Sequence, residues 1–329
     1  MFTTDPLDGR HVLARSRWLL RLIGLLILAA LLRQIKLDTV ADLLRGLHTG
    51  WFFGAVMMTA PFFLIKSWRW RMIMRELGIE IPNGLAVQLY GAGLFAGQIT
   101  PGQLGEIVRA HFLWRRGHDG MLAVGSVMVD RALDLALLVC VALPGVVVII
   151  GPRQGFLVFV VVVGVATTFL MLRPRQWRRV LISWMQNFPS VGRAAMKVDE
   201  LLVTMVRALS TPSAAWAVAG ATVLALALNI IRFYLLLLSL GLTLPVGALI
   251  FGIALANLIG LLPISVAGVG MRDAVLLLVF QQAGQPSEGA IAFSLLILLV
   301  AYGLNLIWGF PAWLLETKSD AYPKPCQDT

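Results

Sequence analysis

The stretch Gly91–Arg116 reads GAGLFAGQITPGQLGEIVRAHFLWRR, and it interrupts an otherwise apolar chain. Its apolar part, residues 91–99, is too short to cross a bilayer and ends at a Thr-Pro-Gly break. Charged residues follow the break at Glu106 and Arg109. Broken backbone is tolerated at membrane depth only where protein or a wet cavity surrounds it, and a charge there costs about 2.5–3.5 kcal/mol. The stretch therefore predicts a re-entrant helical hairpin with a functional site at its break.

The composition of the whole chain is that of a membrane protein. Of its 329 residues, 59% are hydrophobic and 13% are charged, whereas soluble domains carry roughly 25% charged residues. A net charge of +10 would suggest nucleic-acid binding in a soluble protein, but Lys and Arg lie here mostly in short loops beside apolar segments. We therefore expect no nucleic-acid partner and a place in the cytoplasmic membrane of a prokaryote, with both termini cytoplasmic. Cys140 and Cys326 predict neither a disulfide nor a metal cluster, and no cofactor is expected.

Apolar segments along the chain predict an all-α polytopic membrane protein with about six full spans plus two re-entrant helical hairpins. The hairpins are the interrupted segments 81–117 and 248–280, and the second of these breaks at Pro263. Two complete spans remain the alternative for segment 81–117, although it is short for two helices of about 17–25 residues each. The predicted full spans are 18–35, 51–68, 121–150, 156–172, 214–238 and 287–313.

Basic residues mark the ends of spans that are predicted to be cytoplasmic. Lys66, Arg69, Arg71 and Arg75 surround Trp68 and Trp70 at the end of the second span, a pattern that predicts a basic aromatic belt at the lipid headgroups, with a specific ligand site as the alternative. The longest polar segment, 173–211, is basic and carries apolar residues at helical spacing, as in an interfacial amphipathic helix. It is predicted to lie in the cytoplasm and to attract anionic lipid, with docking of a partner protein as the alternative.

The side of the membrane assigned to each segment predicts an inverted repeat. The first hairpin enters from the cytoplasmic side between an inward and an outward span, and the second half of the chain repeats this order upside down. Interrupted segments at matching positions in two halves indicate the substrate site of a transporter. The predicted organisation is one integral membrane domain, 1–329, with a first repeat 51–150, a cytoplasmic basic loop 173–211, a second repeat 212–315 and a C-terminal tail 316–329.

Each hairpin continues after its break with glycine, a carboxylate and an arginine. Helix N-termini and free backbone N–H groups bind anions, and arginine adds charge-assisted bonds to phosphate. Arg109 and Arg272 are therefore the predicted phosphate ligands. Glu106 and Asp273 either hold these arginines or receive a cationic headgroup, and the alternative is that each pair is only a salt bridge that fixes its hairpin. The backbone positions predicted to take part are Pro101, Gly102, Gly105, Pro263, Gly268 and Gly270.

Further charges inside the predicted spans form a second group of candidates. Asp130, Arg131 and Asp134 would cost roughly 8–10 kcal/mol if unpaired, so they should face protein or water. Arg131 and Asp134 have the spacing of a helical ion pair, and Asp130 and Asp134 share a helix face. Arg232 lies three residues after Asn229, its expected partner. Arg131 and Arg232 are thus predicted as additional substrate ligands, with the other residues in support.

At these motifs the chain resembles the flippase-like family, also known as the lysylphosphatidylglycerol synthase transmembrane-region family. The matching pieces are PGQLGEIVRAHFL (101–113), VDRALDLALL (129–138) and LPISVAGVGMRDAVLL (262–277). The resemblance implies movement of phospholipids or isoprenoid-linked lipids between leaflets. In the aminoacyl-lipid synthases of that family a soluble catalytic domain follows. Because this sequence stops at Thr329, that transferase activity is not expected, and Arg272-Asp273 departs mildly from the Arg-Glu of many relatives.

The predicted function is flippase- or scramblase-type transport of an anionic phospholipid or isoprenoid-linked lipid. The sequence has no Walker A motif, so transport would be downhill or ion-coupled. A membrane enzyme is one alternative, but no catalytic motif is readable around the histidines. A non-transporting scaffold for a lipid-modifying enzyme is the other. The expected partners are lipids with anionic headgroups, and the GxxxG pattern of Gly93 and Gly97 leaves a homodimer open. The histidines are His11, His48, His111 and His118.

Overall fold

The computed structural model of the protein describes residues 36–150, 199–261 and 268–318, together with Arg33. The predicted features that fall outside these residues are the span 156–172, nearly all of the span 18–35, most of the basic loop 173–211, and Pro263. Docking of a partner on the basic loop therefore stays a prediction.

All regular secondary structure in the described residues is helical. A 3-10 segment joins the helices Asn83–Ile99 and Val108–Arg115, and a π-helical segment joins Ser287–Ile297 to Leu304–Lys318. The helices are α1 (Leu37–Arg45), α2 (Thr49–Glu76), α3 (Asn83–Ile99), α4 (Val108–Arg115), α5 (Gly120–Ile150), α6 (Pro212–Ser239), α7 (Val246–Gly260), α8 (Met271–Gln282), α9 (Ser287–Ile297) and α10 (Leu304–Lys318). The 3-10 segment is Pro101–Ile107, the π-helical segment is Leu298–Gly303, and a further helical stretch covers 199–207.

Three helical stretches in the described residues are long and apolar enough to cross a membrane: α2, α6 and the continuous rod of α9 and α10. The rod and α6 lie within a few residues of the predicted spans 287–313 and 214–238. Helix α2 continues to Glu76, well past the predicted end of its span. Helix α5 covers the predicted span 121–150 as one helix, and it carries the charged group described below. The full predicted set of spans stays a prediction.

The break after Ile99 folds into a tight turn between α3 and α4. Gly102 and Gln103 take left-handed φ angles of 62° and 57°, and the second is unusual for a residue with a side chain. Gly105 closes the turn, because its N–H donates to Thr100 Oγ1 at 2.7 Å. A Cβ on Gly105 would lie 2.2 Å from the carbonyl oxygen of Ala96, so no larger residue fits there.

Two glycines of α3 make room for the returning helix α4. A Cβ on Gly93 would lie 2.4 Å from Arg109 Cγ, and a Cβ on Gly97 would lie 2.6 Å from Glu106 Cγ. The GxxxG pattern therefore packs against the charged side chains of its own hairpin. The homodimer that this pattern left open gains no support from these two glycines.

The second hairpin, α7 and α8, closes by backbone contact. A Cβ on Gly268 would lie 3.0 Å from the Cα of Gly260, and Gly268 and Gly270 have φ angles of 74° and 87°. Helix α8 then begins with a cap in which Asp273 Oδ2 accepts the N–H of Gly270 at 2.8 Å. At Gly268 both the close contact and the φ angle exclude most side chains, and at Gly270 the φ angle does so.

The two hairpins enter the helical bundle from opposite ends. At one end, the His48 N–H donates to the Ser239 carbonyl at 2.8 Å, and α7 begins and α8 ends near this point. At the other end, Arg116 Nη1 lies 2.7 Å from Glu316 Oε2, and Gln88 of α3 also binds Glu316. Both ends of the first hairpin are therefore at the Glu316 end. The inverted repeat and its orientation in a membrane both stay predictions.

We expect Gly93→Ala to lower the free energy of unfolding by about 1–3 kcal/mol, because the new methyl group overlaps the Arg109 side chain. The Arg109 guanidinium is held by ion pairs, so its stem cannot move aside freely. Gly220→Ala in α6 is the matched control, since nothing lies within 4 Å of a Cβ there. Unfolding in detergent measures both variants. Equal stability of the two would contradict the packing role assigned to the α3 glycines.

Candidate functional site

A cavity of about 650 Å³ lies between the two hairpins, within the size range of ligand pockets. The first hairpin contributes Gln103 and Glu106 to its wall, and the second contributes Asn257 and Leu258. Helices α2, α5, α6 and α10 and the π-helical segment complete the lining. The hairpins therefore share a hollow, as the sequence predicts.

Helix α2 is joined to α5 by buried ion pairs on one side of this cavity. Arg69 Nε donates to Asp130 Oδ1 at 3.0 Å, and Arg69 Nη1 donates to Asp134 Oδ1 at 2.7 Å. Lys66 Nζ also pairs with Asp134, and Arg69 Nη1 donates to Thr222 Oγ1 of α6 at 3.2 Å. Arg69 and Asp130 have no exposed surface, so their charges are neutralised entirely within the protein.

The first hairpin joins the same network through Asp130. Arg109 Nη1 lies 3.2 Å from Asp130 Oδ2, and Arg109 Nη2 donates to Glu106 Oε2 at 2.9 Å. Glu106 pairs in turn with Arg131, whose Nη2 donates to Gln103 Oε1 at 3.0 Å. The left-handed conformation of Gln103 therefore serves to place an acceptor beside Arg131.

These contacts form one chain of alternating charge. Each carboxylate binds two cations, and the chain ends on a cation at both sides. The end cations and the carboxylates beside them, Asp134 and Glu106, line the cavity, whereas Arg69, Asp130 and Arg109 are buried behind its wall. In order, the members are Lys66, Asp134, Arg69, Asp130, Arg109, Glu106 and Arg131.

Helical spacing explains why these side chains meet. Lys66 and Arg69 are one turn apart on α2, and Asp130 and Asp134 are one turn apart on α5, so each pair shares a face. Aromatic rings cover the side of the Arg109 guanidinium that makes no ion pair: its Cζ lies 4.6 Å from the centroid of the Tyr90 ring and 4.9 Å from that of Trp70. Cation–π contact of this kind is strongest where the cation is desolvated.

Two expectations about these charges are wrong. Lys66, Arg69 and Trp70 do not belong to a headgroup belt, because all three side chains are buried, whereas Trp68 and Arg75 of the predicted belt are exposed. They turn inward because the carboxylates of α5 require counter-charges there. Arg131 pairs with Glu106 rather than with Asp134, which the two α2 cations occupy. The expectation that the α5 charges face protein or water is met.

Arg232 is the cavity cation that no described carboxylate neutralises. Its Nη2 donates to Asn229 Oδ1, the partner expected from the sequence. Its Nε and Nη1 are buried and have no hydrogen-bond partner, and its Cζ lies 4.8 Å from the Phe62 ring centroid. Buried guanidinium nitrogens normally have acceptors. The two nitrogens of Arg232 can therefore donate to a ligand or water in the cavity.

The predicted phosphate ligands Arg109 and Arg272 lie behind the cavity wall and do not line it. Arg272 Nη2 lies 3.0 Å from Asp273 Oδ1 and donates to Ser294 Oγ at 2.7 Å, so the pair is mutually neutralised. Tyr302 of the π-helical segment separates it from the cavity, with the Arg272 Cζ 5.4 Å from the ring centroid. Their predicted role as direct substrate ligands has no contact in this conformation to support it.

The glycine amides predicted to bind anions are largely occupied by the protein itself. Gly105 donates to Thr100 and Gly270 donates to Asp273. Gly102 alone of the predicted glycines lines the cavity. These glycines therefore act mainly through the turn geometry that they permit.

Sequence reasoning missed several polar residues of the wall. Lys66 was placed at the headgroups, and Asn257, Asn305, Gln98 and Tyr302 were not considered. A usable signal was present in the amides, because an Asn or Gln inside an apolar helix is costly unless it finds a partner. Among the described residues, no cluster of His, Cys, Asp and Glu has the arrangement of a metal site.

The cavity reaches the outside of the bundle through an apolar opening. Leu104 and Ile107 of the 3-10 segment and Leu135 of α5 line the cavity, and they are 68%, 44% and 41% exposed. A ligand with a polar head in the cavity could thus extend an apolar part between the first hairpin and α5.

Comparison with known proteins gives a match to the family described as lysylphosphatidylglycerol synthase TM region over residues 18–309. A UPF0104 membrane protein of Methanocaldococcus jannaschii is 25% identical over 315 residues, which cover 90% of this chain and 94% of the relative. A second UPF0104 membrane protein, from Methanothermobacter thermautotrophicus, is 25% identical over 310 residues, covering 83% and 88%. Both relatives thus match nearly from end to end.

We expect Asp130→Asn to lower the free energy of unfolding by about 3–5 kcal/mol, because Arg69 and Arg109 both lose a buried counter-charge. Asp42→Asn provides the comparison, since the Asp42–Arg45 pair is largely exposed and its loss should cost less than about 1 kcal/mol. Denaturant unfolding of the detergent-solubilised protein measures both. If Asp130→Asn were as stable as Asp42→Asn, the ion-pair chain would not be a structural determinant.

Proposed function

This chain belongs to the lysylphosphatidylglycerol synthase transmembrane-region family, and we propose that it moves an anionic phospholipid or an isoprenoid-linked lipid between the leaflets of a membrane. The transport is of flippase or scramblase type and passes through the cavity between the hairpins. The resemblance noted in the sequence is confirmed by the family match, and the protein is a membrane protein with prokaryotic relatives.

One observation carries the proposal: a positively charged cavity opens sideways between apolar residues. The three cations in its wall, Lys66, Arg131 and Arg232, outnumber the two carboxylates, Asp134 and Glu106, while Leu104 and Leu135 form the opening. A lipid has the same division, with a charged head and apolar chains. The head would occupy the cavity while the chains remain in the surrounding hydrocarbon.

The cavity lowers the barrier that a headgroup meets in a bare bilayer. Transfer of a charged group into an apolar medium without partners is prohibitive. Cations and amide groups that line the path replace part of the lost hydration, as in secondary transporters whose sites lie between broken helices. In this proposal the hairpins are re-entrant from opposite sides, and the Glu316 end of the bundle faces the cytoplasm.

We expect Leu135→Trp to slow lipid movement several-fold, because the larger ring narrows the opening between the first hairpin and α5. Leu224→Trp is the matched control: Leu224 is similarly exposed, at 46%, but does not line the cavity. The measurement is the rate at which fluorescent anionic lipid in reconstituted vesicles becomes accessible to an external quencher.

Two outcomes count against the proposal in different ways. If Leu135→Trp and Leu224→Trp move lipid equally fast, the route through this opening is wrong. If the unmodified protein moves none of several anionic lipids faster than protein-free vesicles do, the transport function itself is wrong.

A further inference from the structure

The balance of charges around the cavity indicates which class of lipid headgroup the cavity can bind. Five cations and three carboxylates form the ion-pair chain and the adjoining Arg232 site, which leaves a surplus of two positive charges. The cations are Lys66, Arg69, Arg109, Arg131 and Arg232, and the carboxylates are Glu106, Asp130 and Asp134.

No other described residue of the cavity wall cancels this surplus. The remaining lining residues are apolar, aromatic, amide, hydroxyl or glycine. Arg272 and Asp273 neutralise each other behind Tyr302. Asn229, the hydrogen-bond partner of Arg232, is uncharged.

The surplus is also placed where a ligand can meet it. The chain ends on Lys66 and Arg131, whose side chains are 11% and 21% exposed, and both face the cavity. Arg232 adds two unpartnered N–H-bearing nitrogens, Nε and Nη1, on the α6 side. A ligand at this place therefore meets three cations from three helices, α2, α5 and α6, together with the carboxylates Asp134 and Glu106, which pair with Lys66 and Arg131.

We infer that the transported lipid carries a phosphate monoester rather than a phosphate diester; this inference rests on the function proposed above. A monoester has a charge of about −1.5 to −2 at pH 7 and three terminal oxygens that accept hydrogen bonds. It matches both the surplus charge and the number of cavity cations. A diester carries a single negative charge and leaves one buried positive charge without compensation, which is unfavourable in a medium of low dielectric constant.

A matched pair of lipids tests the inference on the intact protein in detergent at pH 8. The pair is dioctanoyl phosphatidic acid and dioctanoyl phosphatidylmethanol, which differ by one methyl group and one negative charge. Calorimetric titration measures both dissociation constants. We expect the monoester to bind at least about tenfold more tightly. Equal affinity, or tighter binding of the diester, would overturn the inference.

Two substitutions at one position separate charge balance from local shape. Asn229→Asp supplies a carboxylate to Arg232 and reduces the surplus to one, so the preference for the monoester should shrink towards equality. Asn229→Gln keeps an amide and the surplus, so the preference should remain. A preference that Asn229→Asp leaves unchanged, in a variant that still binds lipid, would show that charge balance does not set the selectivity.

Glycerol 3-phosphate, which has the head of phosphatidic acid without its chains, tests whether the cavity binds a lipid or a soluble phosphate ester. We expect it to bind far more weakly, because the apolar opening then contributes nothing. Binding as tight as that of the lipid would overturn the lipid assignment. Vesicle transport keeps the two proposals apart: fast movement of both esters contradicts only the inference, whereas movement of neither contradicts the proposed function.

Discussion

Asp130 lies between two arginines without any exposed surface, and the placement of α2, α5 and the first hairpin depends on this contact. Burying ions is expensive, and their attraction repays the cost only when further hydrogen bonds complete the geometry. Arg69 gains such bonds from Asp134 and Thr222, while Arg109 is enclosed by Glu106 and two aromatic rings. Since every carboxylate binds two cations, the network must end on positive charge. The ion pairs of Asp130, which hold the first hairpin in place, thereby also determine that the charge in the cavity is positive.

The two halves of the molecule share a plan but contribute different chemistry. Each hairpin holds an arginine one layer behind the wall, paired with a carboxylate of the same hairpin. In the first half, the ion pair between Arg109 and Asp130 connects that arginine to residues at the cavity surface. In the second half, Arg272 is neutralised by Asp273 and binds Ser294 through Nη2, and its neighbourhood presents amide and aromatic groups to the cavity instead. The first hairpin therefore supplies charge, and the second supplies neutral surface.

The sequence predicted what local patterns can encode and missed what depends on how distant helices face each other. The breaks at the hairpins, the Glu106–Arg109 and Asn229–Arg232 contacts and the inward orientation of the α5 charges follow from spacing and from the cost of burying charge. Arg69 was misplaced because Lys and Arg among tryptophans at a helix end look the same whether they face headgroups or carboxylates. Its partner is 61 positions away, and only the rotation of α2 against α5 distinguishes the two cases. Likewise, no feature of the local sequence predicts that Gln103 takes a left-handed conformation.

The π-helical segment Leu298–Gly303 has a mechanical consequence for the rod that it interrupts. A π turn closes its hydrogen bonds over one residue more than an α turn does, so the segment holds an extra residue relative to regular α geometry. Removing one residue here would let the backbone relax into an ordinary helix, with little change in the phase of the flanking turns. Elsewhere in the rod, a one-residue deletion would rotate everything beyond it by about 100°. The segment is thus the part of the rod where a one-residue deletion least disturbs the flanking helices, and it contains Tyr302.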